Sequence, residues 1–180
     1  MPAYLENFNQ LLAYGTILIQ IAILVLAVAL IFFPKTNQIR VFFKEYTFSF
    51  GFLLALGGVL LSLFYSEVIG FPPCELCWIN RIFIYPQAIL LGMELYKRDK
   101  SIVDHSIVLA LLSIITSIFH VYTENGGESA LPCSSPTVVT QVSCATRYVY
   151  EFGYVTIPVM ALTMSLFILL LLVNYKHSTR

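Results

Sequence analysis

Residues 46–81 read YTFSFGFLLALGGVLLSLFYSEVIGFPPCELCWINR. The stretch begins with an uncharged, mostly apolar run that continues to Ser66. It then passes through a short connector and ends on a Cys-x-x-Cys motif, Cys74 and Cys77, at the start of another apolar run. A bilayer core requires about 20 mostly apolar residues per helix. The stretch therefore predicts two membrane-spanning helices with a pair of thiols at the membrane surface between them.

The whole chain has a membrane composition. Of its 180 residues, 58% are apolar and 11% are charged, whereas soluble domains carry about 25% charged residues. The formal net charge is zero, which argues against binding to nucleic acid. We therefore predict an all-α polytopic membrane protein with a single membrane domain over residues 1–180. Its five predicted spans are Tyr14–Phe33, Tyr46–Ser66, Trp78–Tyr96, Ile102–Tyr122 and Tyr154–Asn174.

Basic residues in the connectors predict the orientation, because Lys and Arg concentrate on the cytoplasmic side. The N-terminus is then outside and the C-terminus inside, which places all cysteines outside, where disulfides persist. No Lys or Arg precedes the first span, so we interpret it as a retained helix and not as a signal peptide. Eight of the ten basic residues fall on the predicted cytoplasmic side: Lys35, Arg40, Lys44, Lys97, Arg98, Lys100, Lys176 and Arg180.

The four cysteines form two pairs, Cys74 with Cys77 and Cys133 with Cys144. A thiol pair can take up or release two electrons by disulfide exchange, so two pairs at one membrane face suggest a redox device. If Cys77 starts the helix, the helix N-terminus favours its thiolate. A zinc site is the less favoured interpretation, because structural zinc usually has two tight ligand pairs. A purely structural disulfide is the other alternative.

Three polar residues within the spans have alternative interpretations. Arg81 lies one turn beyond Cys77, where it could steady a thiolate or hydrogen-bond a quinone carbonyl; alternatively, it could snorkel to the headgroups. His120, near the outer end of the fourth span, could contact a quinone, relay protons or simply pack. Glu94 is expected to pair with the basic residues that follow it and to snorkel to the cytoplasmic surface.

Two segments resemble a known family. CELCWINRIFIYP at residues 74–86 is similar to the signature of the DsbB/BdbC family of bacterial disulfide-forming membrane proteins, and FGYVTIP at 152–158 resembles the matching segment of the BdbC branch. The resemblance covers about residues 46–175. It implies a DsbB-like four-helix bundle over 46–174, with redox loops at 67–77 and 123–153. The span Tyr14–Phe33 is an extra N-terminal helix that the resemblance does not cover.

The resemblance also implies a relay in the bacterial cytoplasmic membrane. A soluble, extracytoplasmic thioredoxin-like thiol oxidase of the DsbA/BdbD type would attack Cys133. Cys144 and Cys74 would exchange between the loops, and Cys77 would pass electrons to a bound quinone, ubiquinone or menaquinone. Arg81 and His120 would belong to the quinone site.

Two alternative functions stay open. One is a vitamin K epoxide reductase-like quinone reductase, although in those enzymes the Cys-x-x-Cys motif usually follows the loop cysteines. The other is a non-enzymatic membrane assembly factor with structural disulfides. Helix-like spacing of apolar residues in Thr137–Phe152 also predicts a short amphipathic surface helix, which would hold Cys144 close to Cys74.

Overall fold

The computed structural model describes residues 3–34, 36–97, 100–127 and 143–179. A π-helical turn, Phe64–Val68, extends the third helix. Within the described ranges the only β-type pairing is a single bridge between Glu151 and Val155. Five helices are long and apolar enough to cross a membrane, which confirms the all-α polytopic fold. The helices are α1 Ala3–Phe32, α2 Gln38–Glu45, α3 Thr47–Leu63, α4 Glu75–Lys97, α5 Lys100–Glu124 and α6 Ile157–Thr179.

Most of the helices extend beyond the predicted spans. α1 begins at Ala3, well before the predicted Tyr14, because a helix can continue through polar residues at which an apolar window stops. α4 begins at Glu75, so Cys77 lies within its first turn and does not start the helix. α6 begins at Ile157, three residues after the predicted Tyr154.

Helices α3 to α6 form a bundle. α3 packs on α4, α4 on α5 and α5 on α6, and α6 returns to α3 to close the ring. Glycines on α3 allow this close packing: a Cβ added at Gly51 would lie 3.1 Å from Leu91, and one at Gly58 would lie 2.7 Å from the Met164 sulfur. The buried core of the bundle comprises Phe48, Ala55, Ile84, Ala88, Leu91, Val103, Met164, Ile168 and Leu172.

The extra helix α1 packs along α6 and α2. In the described part of the chain, no Cα of α1 lies within 8 Å of α3. Side chains connect α1 to the bundle instead. The Tyr65 hydroxyl donates to Asn9 Oδ1 at 2.6 Å, and Gln20 Nε2 donates to Thr163 Oγ1 at 3.3 Å. A gap therefore separates the backbones of α1 and α3.

The short helix α2 was not predicted, and it buries Arg40, which is only 3% exposed. Arg40 Nε donates to Asn174 Oδ1 at 3.3 Å, and its Nη1 donates to the Phe33 carbonyl at 3.0 Å. Asn174 Nδ2 donates back to the Arg40 carbonyl at 3.0 Å. This exchange of hydrogen bonds fixes α2 against the end of α6.

Replacing Asn174 with Leu should therefore destabilise the fold by about 2 kcal/mol, because it leaves a buried guanidinium without one of its acceptors. The free energy of unfolding in bicelles measures the loss. Val173→Leu is the matched control, since Val173 is the neighbouring residue on α6 and is 39% exposed. Equal stability of the two variants would contradict a structural role for the Asn174 contact.

A line of buried polar residues follows α4 at intervals of seven, a spacing that keeps side chains on nearly one helix face. Asn80 donates to Ser117 Oγ at 3.1 Å and accepts from Ser113 Oγ at 2.6 Å. Gln87 donates to the Ser106 carbonyl at 3.3 Å. Glu94 continues the line and is 0% exposed. The expectation that Glu94 snorkels to the surface was wrong, because its helix face points into the bundle.

Candidate functional site

The first cysteine pair lies at the beginning of α4. The Trp78 N–H donates to the Cys74 carbonyl at 3.1 Å, so Cys74 directly precedes the helix and Cys77 lies in its first turn. The Cys74 thiol donates to Cys77 Sγ at 3.3 Å. A disulfide bond is about 2 Å long, so Cys74 and Cys77 are two free thiols in this structure. Cys74 is buried, whereas Cys77 is half-buried.

Cys144 lies against this pair. It is 3% exposed, packs with Cys74 and Leu76, and lies within hydrogen-bonding reach of the Cys74 thiol. The predicted proximity of Cys144 to Cys74 is therefore confirmed. Cys133 lies outside the described residues, so the geometry of the second pair is known for Cys144 alone.

The predicted surface helix Thr137–Phe152 is wrong for residues 143–152, which form turns and irregular chain. Residues 137–142 lie outside the described ranges. Arg147 Nη2 donates to the Glu124 carbonyl at 3.1 Å and to Asn125 Oδ1 at 2.8 Å, which ties this segment to the end of α5. The Tyr148 ring stacks on Phe71 from the other loop, with ring centres 4.6 Å apart. These contacts between loops, and not a helix, hold Cys144 in place.

His120 on α5 is also part of the cluster. It is 7% exposed, and its Nε2 lies 3.7 Å from Cys74 Sγ. The nearby Cys144 thiol lowers the pKa of Cys74, but the hydrogen bond to Cys77 and burial outweigh this effect and raise it to about 12. Cys74 is thus held as a thiol that donates to Cys77. This arrangement favours Cys77 as the thiolate of the pair.

Arg81 is buried beneath the cysteine motif and is 8% exposed. Its Nε donates to Ser62 Oγ at 2.7 Å and its Nη2 to the Ser62 carbonyl at 2.9 Å, while the guanidinium carbon lies 4.9 Å from the centre of the Trp78 ring. A snorkelling side chain would instead expose its charge at the headgroups. The guanidinium carries further N–H donors, and Arg81 lines the main cavity.

The main cavity has a volume of about 320 Å³ and lies between α1, α3, α4 and α6. Such a volume is typical of small-molecule sites, which enclose about 300–1,000 Å³. Cys77, Arg81 and His120 line it near the cysteine loops, together with Asn80. Ile84 lines its deeper part, seven residues and about 10 Å beyond Cys77 by helix rise. Leu54 of α3 lies about 12 Å beyond Ser62, the residue that binds Arg81. The cavity therefore has a polar end beside a reactive thiol and an apolar end within the membrane.

A metal ion is the alternative ligand for the cluster itself. Cys74, Cys77 and His120 place one ligand atom each within 4.8 Å of one another. Structural zinc is four-coordinate with sulfur and nitrogen ligands, and Cys144 is the neighbouring sulfur. The donor set thus suits a thiophilic cation, and the zinc interpretation needs an experimental test.

Sequence reasoning missed two features of this site. Ser62 anchors Arg81 through its hydroxyl and its carbonyl, yet in the sequence it follows a regular spacing of small residues that is typical of helix packing. Tyr148 joins the two loops by stacking on Phe71. Aromatic residues are common near membrane surfaces, so the sequence does not identify Phe71 as its partner.

A family model described as disulfide bond formation protein DsbB matches residues 44–175, a range that excludes α1. Over 126 residues the chain is 32% identical to disulfide bond formation protein C of Bacillus subtilis, covering 69% of this chain and 88% of that protein. It is 28% identical to probable disulfide formation protein C 2 of Bacillus cereus, covering 76% of this chain and 94% of that protein.

A third relative lies outside the genus Bacillus. The chain is 32% identical to a probable disulfide formation protein of Chlamydia pneumoniae, covering 75% of this chain and 95% of that protein. No solved structure matches the chain. Because the family model covers most of the chain and the relatives are covered almost completely, the chain belongs to the DsbB family of membrane disulfide bond formation proteins and is similar to its protein C members.

Proposed function

We propose that this membrane oxidoreductase takes electrons from a reduced, soluble thioredoxin-like thiol oxidase of the DsbA/BdbD type outside the cell membrane and passes them to ubiquinone or menaquinone. The observation that carries the proposal is the order of the groups in space. Cys144 contacts Cys74, Cys74 contacts Cys77, and Cys77 lines a cavity with Arg81. These contacts provide a continuous route from a surface loop to a membrane cavity.

Charge supports an outward position for the cysteine end in the bacterial cytoplasmic membrane. The start of α1 packs beside Tyr65 and Val149, so the N-terminus and the cysteine loops share one end of the bundle. Lys97 ends α4 and Lys176 lies in the last turn of α6, both at the end of the bundle away from the cysteines. Arg40 of α2 lies at the same end, where it donates to Asn174 of α6. The positive-inside rule then assigns the cysteine end to the outside.

In the proposed first exchange, a partner thiolate attacks Cys133 of a Cys133–Cys144 disulfide, and Cys144 leaves as a thiolate. The second partner thiol then attacks the mixed disulfide, so the partner leaves oxidised and both loop cysteines are reduced. Two electrons and two protons have moved from the partner to this chain. Exchange of this kind proceeds through attack of a thiolate on a disulfide sulfur.

In the second exchange, the Cys144 thiolate attacks Cys74 of a Cys74–Cys77 disulfide, and Cys77 leaves as a thiolate. Cys133 then attacks Cys144, which restores the Cys133–Cys144 disulfide and leaves Cys74 and Cys77 reduced. The contact of Cys144 with Cys74 supports this direction. Once Cys133 has released Cys74 and Cys74 has taken up a proton, its thiol donates to Cys77 and stabilises the Cys77 thiolate of the reduced pair.

The last exchange restores the Cys74–Cys77 disulfide. A quinone held in the cavity by Arg81 would supply the acceptor for the two electrons and two protons that the Cys74–Cys77 pair releases. Cys77 is positioned to transfer electrons to it because Cys77 is the described cysteine that lines the cavity. Arg81, fixed by Ser62, offers N–H donors to a quinone oxygen, and the His120 imidazole lies 3.7 Å from Cys74 Sγ, where it can share a hydrogen bond with that thiol.

The test is quinone-dependent oxidation of a reduced thioredoxin-like protein by the purified full chain. Mixed with the oxidised partner, Cys144→Ala should accumulate a mixed disulfide between Cys133 and the partner, visible on a non-reducing gel, because the Cys133 thiolate opens the partner disulfide and Cys144 is no longer present to displace the partner. The double variant Cys133→Ala/Cys144→Ala is the control and should trap nothing. Trapping with equal yield in both variants would contradict attack at Cys133.

The alternatives give different results in the same assay. Quinone reduction without any exchange with the partner would favour the vitamin K epoxide reductase-like interpretation. The absence of both quinone reduction and exchange with the partner would favour an assembly factor with structural disulfides. One bound zinc per chain in the reduced protein, together with no quinone reduction, would favour a metal site at Cys74, Cys77 and His120.

A further inference from the structure

The extra helix α1 lies outside the family match, which begins at residue 44. α1 lines the main cavity with one face, which carries Leu11, Leu12, Gly15, Thr16 and Ile19. These positions recur at the spacing of a single helix face. The cavity is therefore not enclosed by the four-helix core alone.

The part of the cavity bounded by α1 is apolar. Opposite α1, the wall is formed by Leu53, Leu54 and Gly57 of α3. Thr16 is the polar residue among the α1 residues that line the cavity, and its hydroxyl donates to the Leu12 carbonyl of its own helix at 2.9 Å. A ligand group lying here meets hydrocarbon on both sides.

Two glycines keep this gap open. A Cβ added at Gly15 of α1 or at Gly57 of α3 would meet no atom within 4 Å, and both residues line the cavity. Glycine inside a helix is unfavourable by about 1 kcal/mol relative to alanine, so two helical glycines that line one cavity, each with open space beside it, favour a ligand in that space. The Tyr65–Asn9 and Gln20–Thr163 hydrogen bonds fix α1 on either side of Gly15, which sets the width of the gap.

We propose that α1 is the wall of a subsite for the isoprenoid tail of the quinone, and that the tail lies between α1 and α3 against Gly15, Ile19 and Gly57. This inference rests on the proposed function, since it requires a quinone ring at the polar end beside Cys77 and Arg81. The cavity is continuous from that end to the apolar gap. An uncharged, flexible hydrocarbon chain attached to a polar ring matches this distribution of polar and apolar walls.

Gly15→Leu tests the subsite by filling the gap. We expect the ratio of KM for a long-tailed ubiquinone or menaquinone to KM for its tail-free analogue to rise about tenfold, because the added side chain takes the place of part of the tail. Leu24→Phe is the matched control: Leu24 lies on the opposite side of α1 and is 65% exposed. An unchanged ratio in Gly15→Leu, or an equal rise in Leu24→Phe, would overturn the proposal.

A labelling experiment with the unaltered full chain covers the case in which Gly15→Leu does not fold. A quinone carrying a photoreactive group on its tail should label α1 between Leu11 and Ile19, and excess long-tailed quinone should compete for the label. Labelling of other helices only would reject the tail subsite. If the unaltered chain reduces neither the long-tailed nor the tail-free quinone, the proposed function itself fails; normal reduction of both without α1 labelling rejects only the subsite.

Discussion

Replacing Cys77 with Ala is expected to lower quinone-dependent turnover by at least about a thousandfold, as removal of a reacting nucleophile typically does. Among the described cysteines, Cys77 alone lines the main cavity. Cys74 is buried behind it and donates a hydrogen bond to it. No other described cysteine is therefore placed to take over the transfer of electrons to a ligand in the cavity.

The loss should be specific to the quinone half of the reaction. In Cys77→Ala, an intact Cys133–Cys144 disulfide can still oxidise about one equivalent of reduced partner, because that exchange does not involve Cys77. Stopped-flow absorbance of the quinone and acid-quench analysis of partner thiols separate the two events. Ile82→Ala is the control on the same helix, since Ile82 is 62% exposed. Repeated quinone turnover in Cys77→Ala would assign the electron donor to another residue.

The spans were predictable because the bilayer imposes a strong constraint on the sequence. A run such as residues 46–66 can bury its backbone polar groups in lipid only as a helix. Its apolar composition was therefore enough to predict a membrane-spanning helix. The inward position of Glu94 was not predicted, because the nearby basic residues suggested a surface pair. Its spacing from Asn80 and Gln87 was the signal that could have identified the buried face.

The site was predictable where its chemistry is local in sequence. Cys77 and Arg81 lie one turn apart on α4 and Cys74 directly precedes that helix, so their spacing alone brings them together. The contact of Cys144 with Cys74 was predicted, but from a helix that residues 143–152 do not form. Contacts such as Arg81 with Ser62 join residues 19 positions apart on different helices. They depend on how the bundle packs, which apolar patterns do not specify.

Replacing Arg81 with Met is expected to raise KM for quinone about 10- to 100-fold, because a hydrogen bond to a charged donor contributes about 1.5–3 kcal/mol. Single-turnover oxidation of the partner through Cys133 and Cys144 should stay close to that of the unaltered chain. Arg81→Lys should recover only part of the quinone affinity, since an ammonium group does not reproduce the paired donors that hold Ser62. An unchanged KM in Arg81→Met would remove Arg81 from the quinone site.

Ser62→Ala tests whether the hydrogen bonds from Arg81 to Ser62 position the guanidinium for quinone binding. The substitution deletes the acceptor 2.7 Å from Arg81 Nε but leaves the Ser62 carbonyl acceptor in place. We expect KM for quinone to rise about three- to tenfold while kcat changes little, because loss of one hydrogen bond loosens the donor without removing it. Ser49→Ala on the same helix, outside the cavity lining, is the control. A fall in kcat with unchanged KM would mean that Ser62 acts on the thiols and not through Arg81 on the quinone.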